Sequence, residues 1–112
     1  MTAPQRITEA LAEFGYPVAE GYYTGSEDHY FVFNYADEYG ADFGDDKPMC
    51  VVASMQVHLF MPRGEGYQSI KRRVREALFK AGFTYPVVTN FTVEETNTRH
   101  IVYECEIDEE RM

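Results

Sequence analysis

Residues 49–61 read Met49-Cys50-Val51-Val52-Ala53-Ser54-Met55-Gln56-Val57-His58-Leu59-Phe60-Met61. Val51, Ala53, Met55, Val57, Leu59 and Met61 occupy every second position, the side-chain period of a β-strand. Ser54, Gln56 and His58 fall on the opposite face. A strand with one apolar and one polar face belongs to a sheet covered on one side only, so this stretch predicts an α+β domain in which one sheet face meets water or a partner. Pro62-Arg63-Gly64-Glu65-Gly66 ends the strand.

Beyond that break the period changes. Tyr67, Ile70, Val74, Ala77, Leu78 and Ala81 share one helical face, which predicts a helix over 67–81 ended by Gly82. Phe79 lies on the other side, beside Arg72, Arg75 and Glu76. Val87 to Glu95 and Arg99 to Ile107 predict two more strands, with Thr96-Asn97-Thr98 as a hairpin turn. Ile101, Tyr103, Cys105 and Ile107 then face one way, and His100, Glu104 and Glu106 the other. Residues 108–112 form a charged tail expected to fray.

Before residue 49, the chain opens with Ile7, Ala10, Leu11 and Phe14 at helical spacing, Thr2 as a cap, Pro4 in the first turn and Gly15 at the exit. A helix over 3–14 follows. Val18 to Tyr23 and Tyr30 to Tyr35 read as strands, and Thr24-Gly25-Ser26-Glu27-Asp28 as the turn of a hairpin between them. Residues 36–48, acidic and containing Gly40, Gly44 and Pro48, read as a loop that also carries Tyr39 and Phe43. The expected order is α-β-β-β-α-β-β, in an antiparallel or mixed sheet of about five strands with both helices on one face. The 112 residues suit a single domain.

Composition narrows the function. The chain is 45% hydrophobic, with nine Tyr and eight Phe, which excludes a disordered tail. Residues 2–13 lack the apolar run of a signal peptide, and 49–61 is too short and too polar to span a bilayer, so no membrane is expected. Net charge is −9, which argues against wrapping nucleic acid. The charge is uneven. Residues 27–46 hold seven acids and no Lys or Arg, and 94–110 hold seven acids against Arg99. The stretch 71–80 reverses this, with Lys71, Arg72, Arg73, Arg75 and Lys80 against Glu76.

No constellation in the chain matches a catalytic or metal-binding pattern. His29, His58 and His100 show no close ligand pair of the kind zinc sites use. His58 and His100 become neighbours on the open sheet face if their strands adjoin. Cys50 and Cys105 lack CxxC spacing, and buried, reduced thiols are the expected state for both. Cys50 would point toward the side of the strand that bears His58. Asp42, Asp45 and Asp46 do not keep calcium-loop spacing. Glu94 with Glu95, and Glu104 with Glu106, read as surface charge. Gly64-Glu65-Gly66 lacks the ending of a phosphate loop. The chain is expected to fold without metal or cofactor and to have no catalytic centre. The basic helix face suits either solvent or an acidic surface on a neighbouring subunit. Tyr39, Phe43 and Phe79, aromatics set among charges, have the composition of interface residues.

Taken end to end, the sequence resembles the small tail terminator proteins of long-tailed phages, also called tail completion or head–tail joining proteins. The resemblance rests on Phe14-Gly15-Tyr16-Pro17-Val18-Ala19-Glu20-Gly21, Tyr30-Phe31-Val32-Phe33-Asn34-Tyr35, the Val51 to Phe60 strand with the following apolar helix positions through Ala81-Gly82-Phe83, Glu94-Glu95-Thr96, and Val102 to Ile107. It covers nearly the whole chain. It implies a structural, non-enzymatic α+β subunit that forms a hexameric ring in the virion after assembly in the host cytoplasm. Such a ring caps the tail tube and meets a head connector or stopper protein, and DNA passes through its bore without specific binding. The acidic 36–48 segment and Phe79 depart from the family. Another connector stopper, a minor capsid component, or a small ligand-binding or enzymatic α+β domain are the competing classes. The subunit and partner contacts are expected at Tyr39, Phe43, Asp45, Asp46, Gln56, His58, Arg72, Arg75 and Phe79.

Overall fold

The computed structural model describes residues 1–44 and 47–109, excluding the side chains of 41–44, 47–49 and 94. The first helix, α1, spans Ala3–Leu11 and tightens into a 3-10 turn over Ala12–Phe14. Its start is a capping box: the Thr2 hydroxyl accepts from the Gln5 backbone N–H, and the Gln5 side chain accepts from that of Thr2. Gly15, at φ 73°, provides the left-handed exit. Ala3, Ile7 and Leu11 are fully buried, as their spacing requires.

Five strands follow the expected element order: β1 (Val18–Glu20), β2 (Tyr30–Gly44), β3 (Lys47–Pro62), then helix α2 (Gln68–Lys80), β4 (Val87–Val93) and β5 (Thr98–Glu109). A 3-10 turn over Glu94–Thr96 joins the last two, with Asn97 at φ 53°. The sheet runs β1-β2-β3-β5-β4 and is mixed. Its core face carries Phe31, Phe33, Ala53, Met55, Val57, Leu59, Ile101, Tyr103 and Cys105, which form one cluster with Ile7 and Leu11 of α1 and Val74 and Leu78 of α2. The Tyr103 hydroxyl reaches through this layer to donate to the Lys71 carbonyl at 3.0 Å, which ties β5 to α2. Arg6 Nη1 donates to the Ala81 carbonyl at 3.0 Å and ties α1 to the end of α2.

Three expectations need correction. The first concerns residues 36–48, read as a loop. The described part is a long β2–β3 hairpin, paired from Tyr30 opposite Phe60 out to Gly44 opposite Lys47. The acids and glycines suppressed the strand reading, yet Tyr39, Ala41 and Phe43 keep a two-residue period. Backbone pairing with a strong partner strand outweighs the weak propensity of the segment. The strand expected to end at Tyr35 instead passes through a register shift between Tyr35 and Asp37 and continues. Pro48 is accommodated because β3 gains its second neighbour, β5, only from Val51 onward.

The second correction concerns β1, which is short and pairs parallel to β2, with Val18 opposite Phe31. It is not a hairpin partner. Gly21, at φ 84°, turns the chain out of the strand while its N–H donates to the Phe33 carbonyl at 2.9 Å. The 24–28 turn instead folds over Tyr23, whose hydroxyl accepts from the Glu27 N–H, and a Cβ on Gly25 would collide with that hydroxyl. The third correction concerns Asp108 and Glu109, expected to fray. They belong to β5, and the Glu109 carboxylate accepts from the Tyr35 hydroxyl and from the Ala3 N–H at the start of α1. A carboxylate there complements the positive end of the helix dipole.

Candidate interaction surface

Alternation along the strands sends the other half of the sheet's side chains to the face opposite the core cluster. The pairing register puts Tyr30, Val32, Asn34, Asp37 and Tyr39 of β2 on that face with Val52, Ser54, Gln56, His58 and Phe60 of β3. β5 adds His100, Val102, Glu104, Glu106 and Asp108, and β4 adds Val87, Thr89 and Phe91. Sequence reading identified this open face from its polar members. It missed the aromatic residues between them.

Those aromatics form a row across the strands. Tyr23 stacks on Tyr30 at 4.4 Å between ring centroids, Tyr30 on Phe60 at 4.8 Å, and Phe60 on His100 at 4.3 Å. Phe91 on the edge strand continues the row to His100 at 5.8 Å. Cross-strand aromatic neighbours of this kind stabilise a sheet locally. A shallow depression of about 360 Å³ lies along the row, lined by Tyr22, Tyr30, Asn34, His58, Phe60 and His100. The missed signal was present: Tyr30, Phe60 and His100 each sit at the polar phase of their strand's alternation.

A polar relay crosses the same face. His58 Nε2 donates to Asn34 Oδ1 at 3.1 Å, which leaves His58 Nδ1 as the acceptor for His100 Nε2–H at 2.8 Å. Asn34 Nδ2 in turn donates to Gln56 Oε1 at 3.5 Å. Burial lowers the proton affinity of both imidazoles below the usual histidine value, and proximity to His58 lowers that of His100 further. This favours the neutral form of the hydrogen-bonded pair, and among the described residues no carboxylate bonds to it. Among the described residues, no group of three His, Cys, Asp or Glu side chains converges as metal ligands.

Cys50 lies opposite Ala41, eight residues along β3 from His58, a strand distance of about 26 Å. The thiol and imidazole are therefore not brought together. Cys50 is half-buried rather than buried as expected, whereas Cys105 is buried in the core, and burial pushes its thiol up to about 12. No disulfide forms among the described residues. His29, by contrast, has its proton affinity raised. Burial alone would lower it, but hydrogen bonds and charge from Glu65 and Asp28 outweigh that effect.

Six of the nine expected contact residues fall into two groups, and the other three have side chains outside the described residues. Tyr39, Gln56 and His58 share the open face, where the exposed Tyr39 donates to Glu106 Oε2 at 2.7 Å. Phe43 has its backbone in β2 opposite Pro48, and its side chain lies outside the described residues, as do Asp45 and Asp46 altogether. Arg72, Arg75 and Phe79 lie on α2, which packs on the core side of the sheet. Phe79 is 50% exposed and meets Tyr85, equally exposed, edge-on at 5.3 Å. The Arg75 guanidinium lies 5.0 Å from the Tyr85 ring centroid, and the Tyr85 hydroxyl donates to Glu76. Among the described residues no Lys or Arg forms an ion pair, and no helix is long and apolar enough to cross a membrane.

No protein-family model matches the chain, and no curated protein matches it. Among solved structures it is similar to a chain in the virion of a native gene transfer agent particle. The identity is 13%, the match covers 96% of this chain and 95% of that one, and the TM-score is 0.54. At that identity the likeness establishes a shared fold over the full length of both chains.

Proposed function

We propose that the protein is a structural virion subunit that forms a hexameric ring, caps the tail tube and joins it to the head connector or stopper protein. The observation that carries this reading is the open sheet face, where an aromatic row and a half-buried polar relay are left uncovered by the chain's own helices. Aromatic side chains held half-buried on a sheet face that no helix covers have the composition of an interface. The edge strand extends it with Val87 at 67% and Phe91 at 50% exposure. Support also comes from the full-length fold likeness to a virion chain and from the sequence resemblance to tail terminators. No catalytic step is assigned. With a net charge of −9 the ring repels phosphate, so DNA passes through its bore without specific binding.

The test is deletion of the gene from a genome that produces particles, followed by electron microscopy of the lysate. Filled heads and separate tails, joined again when the gene is supplied in trans, are the expected result. Loss of capsids would favour a minor capsid role, and intact infectious particles would overturn the proposal.

A further inference from the structure

The two groups of contact residues lie on opposite sides of the molecule and differ in chemistry. Among the described side chains, the open sheet face carries Asp37, Glu104, Glu106 and Asp108 and neither Lys nor Arg. The outer face of α2 carries Arg72, Arg73, Arg75 and Lys80 against Glu76, which is already engaged by Tyr85. Each face also holds exposed aromatic surface: Phe91 and Tyr22 on the sheet side, Phe79 and Tyr85 on the helix side. The bases of α2 have no acidic partner within their own subunit among the described residues.

We propose that the outer face of α2 in one copy of this chain docks on the open sheet face of the next, so that Arg72, Arg75 and Phe79 meet the acids and the aromatic row. The occupant follows from charge. Two open faces set against each other would place acids on acids, and two α2 faces would place bases on bases. Only a head-to-tail contact pairs the opposite charges, and like-charge juxtaposition suppresses the other modes. A head-to-tail contact repeats from copy to copy and closes into a ring when its rotation permits. The inference rests on the ring reading above and specifies which surfaces build the ring. The hydrophobic part of the contact supplies the non-directional attraction, and the charges set orientation and make the association salt-sensitive.

The test uses two full-length double variants, Arg72→Glu/Arg75→Glu and Glu104→Lys/Asp108→Lys. The substituted side chains are exposed or half-buried on the surface. Sedimentation velocity is run on each alone and on their equimolar mixture, at low and high salt. The wild type is expected to self-associate, and each variant alone to do so about tenfold more weakly or worse. The mixture is expected to recover self-association, because the intact α2 face of one variant meets the intact sheet face of the other and the two reversed faces are themselves opposite in charge, and that recovery also shows that both variants fold. A wild type that stays monomeric, a variant that assembles as well as the wild type, or a mixture that stays monomeric would each overturn the inference. Closed rings that ignore both double variants would overturn it while leaving the ring reading intact. Complementation with only open, concentration-dependent chains would keep the inference and overturn the ring.

Discussion

His58 and His100 share a hydrogen bond of 2.8 Å across two adjacent strands, with their rings 5.0 Å apart between centroids. The bond requires one imidazole to accept, so it exists only while His58 Nδ1 is unprotonated. The relay through Asn34 then orients both rings within the aromatic row. The ordering of the rings on the open face thus depends on a neutral His58.

This has a pH consequence. Both groups bind protons less readily in the folded chain than at the ordinary value of 6.5. Below that value the unfolded state takes up protons that the folded state refuses, so stability falls as pH drops. His29 acts in the opposite sense: its raised proton affinity stabilises the fold below 6.5, and that contribution is lost as pH rises through its folded value. In a His29→Gln background, the melting temperature is expected to fall from pH 7 to pH 5. Adding His58→Gln and His100→Gln should flatten that fall. A melting temperature in the His29→Gln protein that rises or holds steady over the same range would refute this account.

Tyr103 is fully buried, and its hydroxyl reaches only the Lys71 carbonyl among the described residues. Tyr103→Phe is expected to cost about 1 kcal/mol, seen as a drop of about 4 °C in melting temperature. Tyr103→Ala leaves a cavity as well and should cost about 3–5 kcal/mol. Equal effects from the two variants, measured by urea denaturation, would mean that packing around the ring contributes little.

Among the described side chains of β3, full burial begins at Ala53, opposite Ile107. Replacing residues 41–50 with an Asn-Gly turn is therefore expected to lower the melting temperature by less than about 4 °C. The same truncation is expected to reduce incorporation into particles, read by mass spectrometry of purified virions. Global unfolding of the truncated chain would show that the hairpin is part of the folding core.

Cys105 should alkylate far more slowly than Cys50 in the native protein, since its buried thiol stays protonated near neutral pH. Mass-resolved iodoacetamide labelling checks this. Equal labelling of the two sites under native conditions would place Cys105 nearer the surface than the structure does.

Much of this architecture was legible in the sequence because it follows from periodicity. The alternation from Val51 to Met61 and the helical stripes of Ile7 to Leu11 and Ile70 to Ala81 identified the core side of each element. The hairpin beyond Tyr35 was not legible, because its strand character comes from pairing with β3 and is masked by Asp37, Glu38 and Gly40. The parallel setting of β1 was hidden as well, since a turn-like segment at 24–28 looks the same whether it closes a hairpin or folds over Tyr23. On the open face, His58 and Gln56 stood out as polar breaks in an apolar run. Tyr30, Phe60 and Phe91 escaped notice because an aromatic residue in a strand is ordinarily assigned to the core. Their place on the open face appears only once the register is known.

The central claim is that this chain closes into a ring between tail and head, and it is tested most directly by cryo-electron microscopy of intact particles. The account expects a hexameric ring with this fold on the head-proximal end of the tail tube, with the outer face of α2 in each copy against the open sheet of the next. Density at that position from other chains alone, in particles that lack this protein by mass spectrometry, would contradict it.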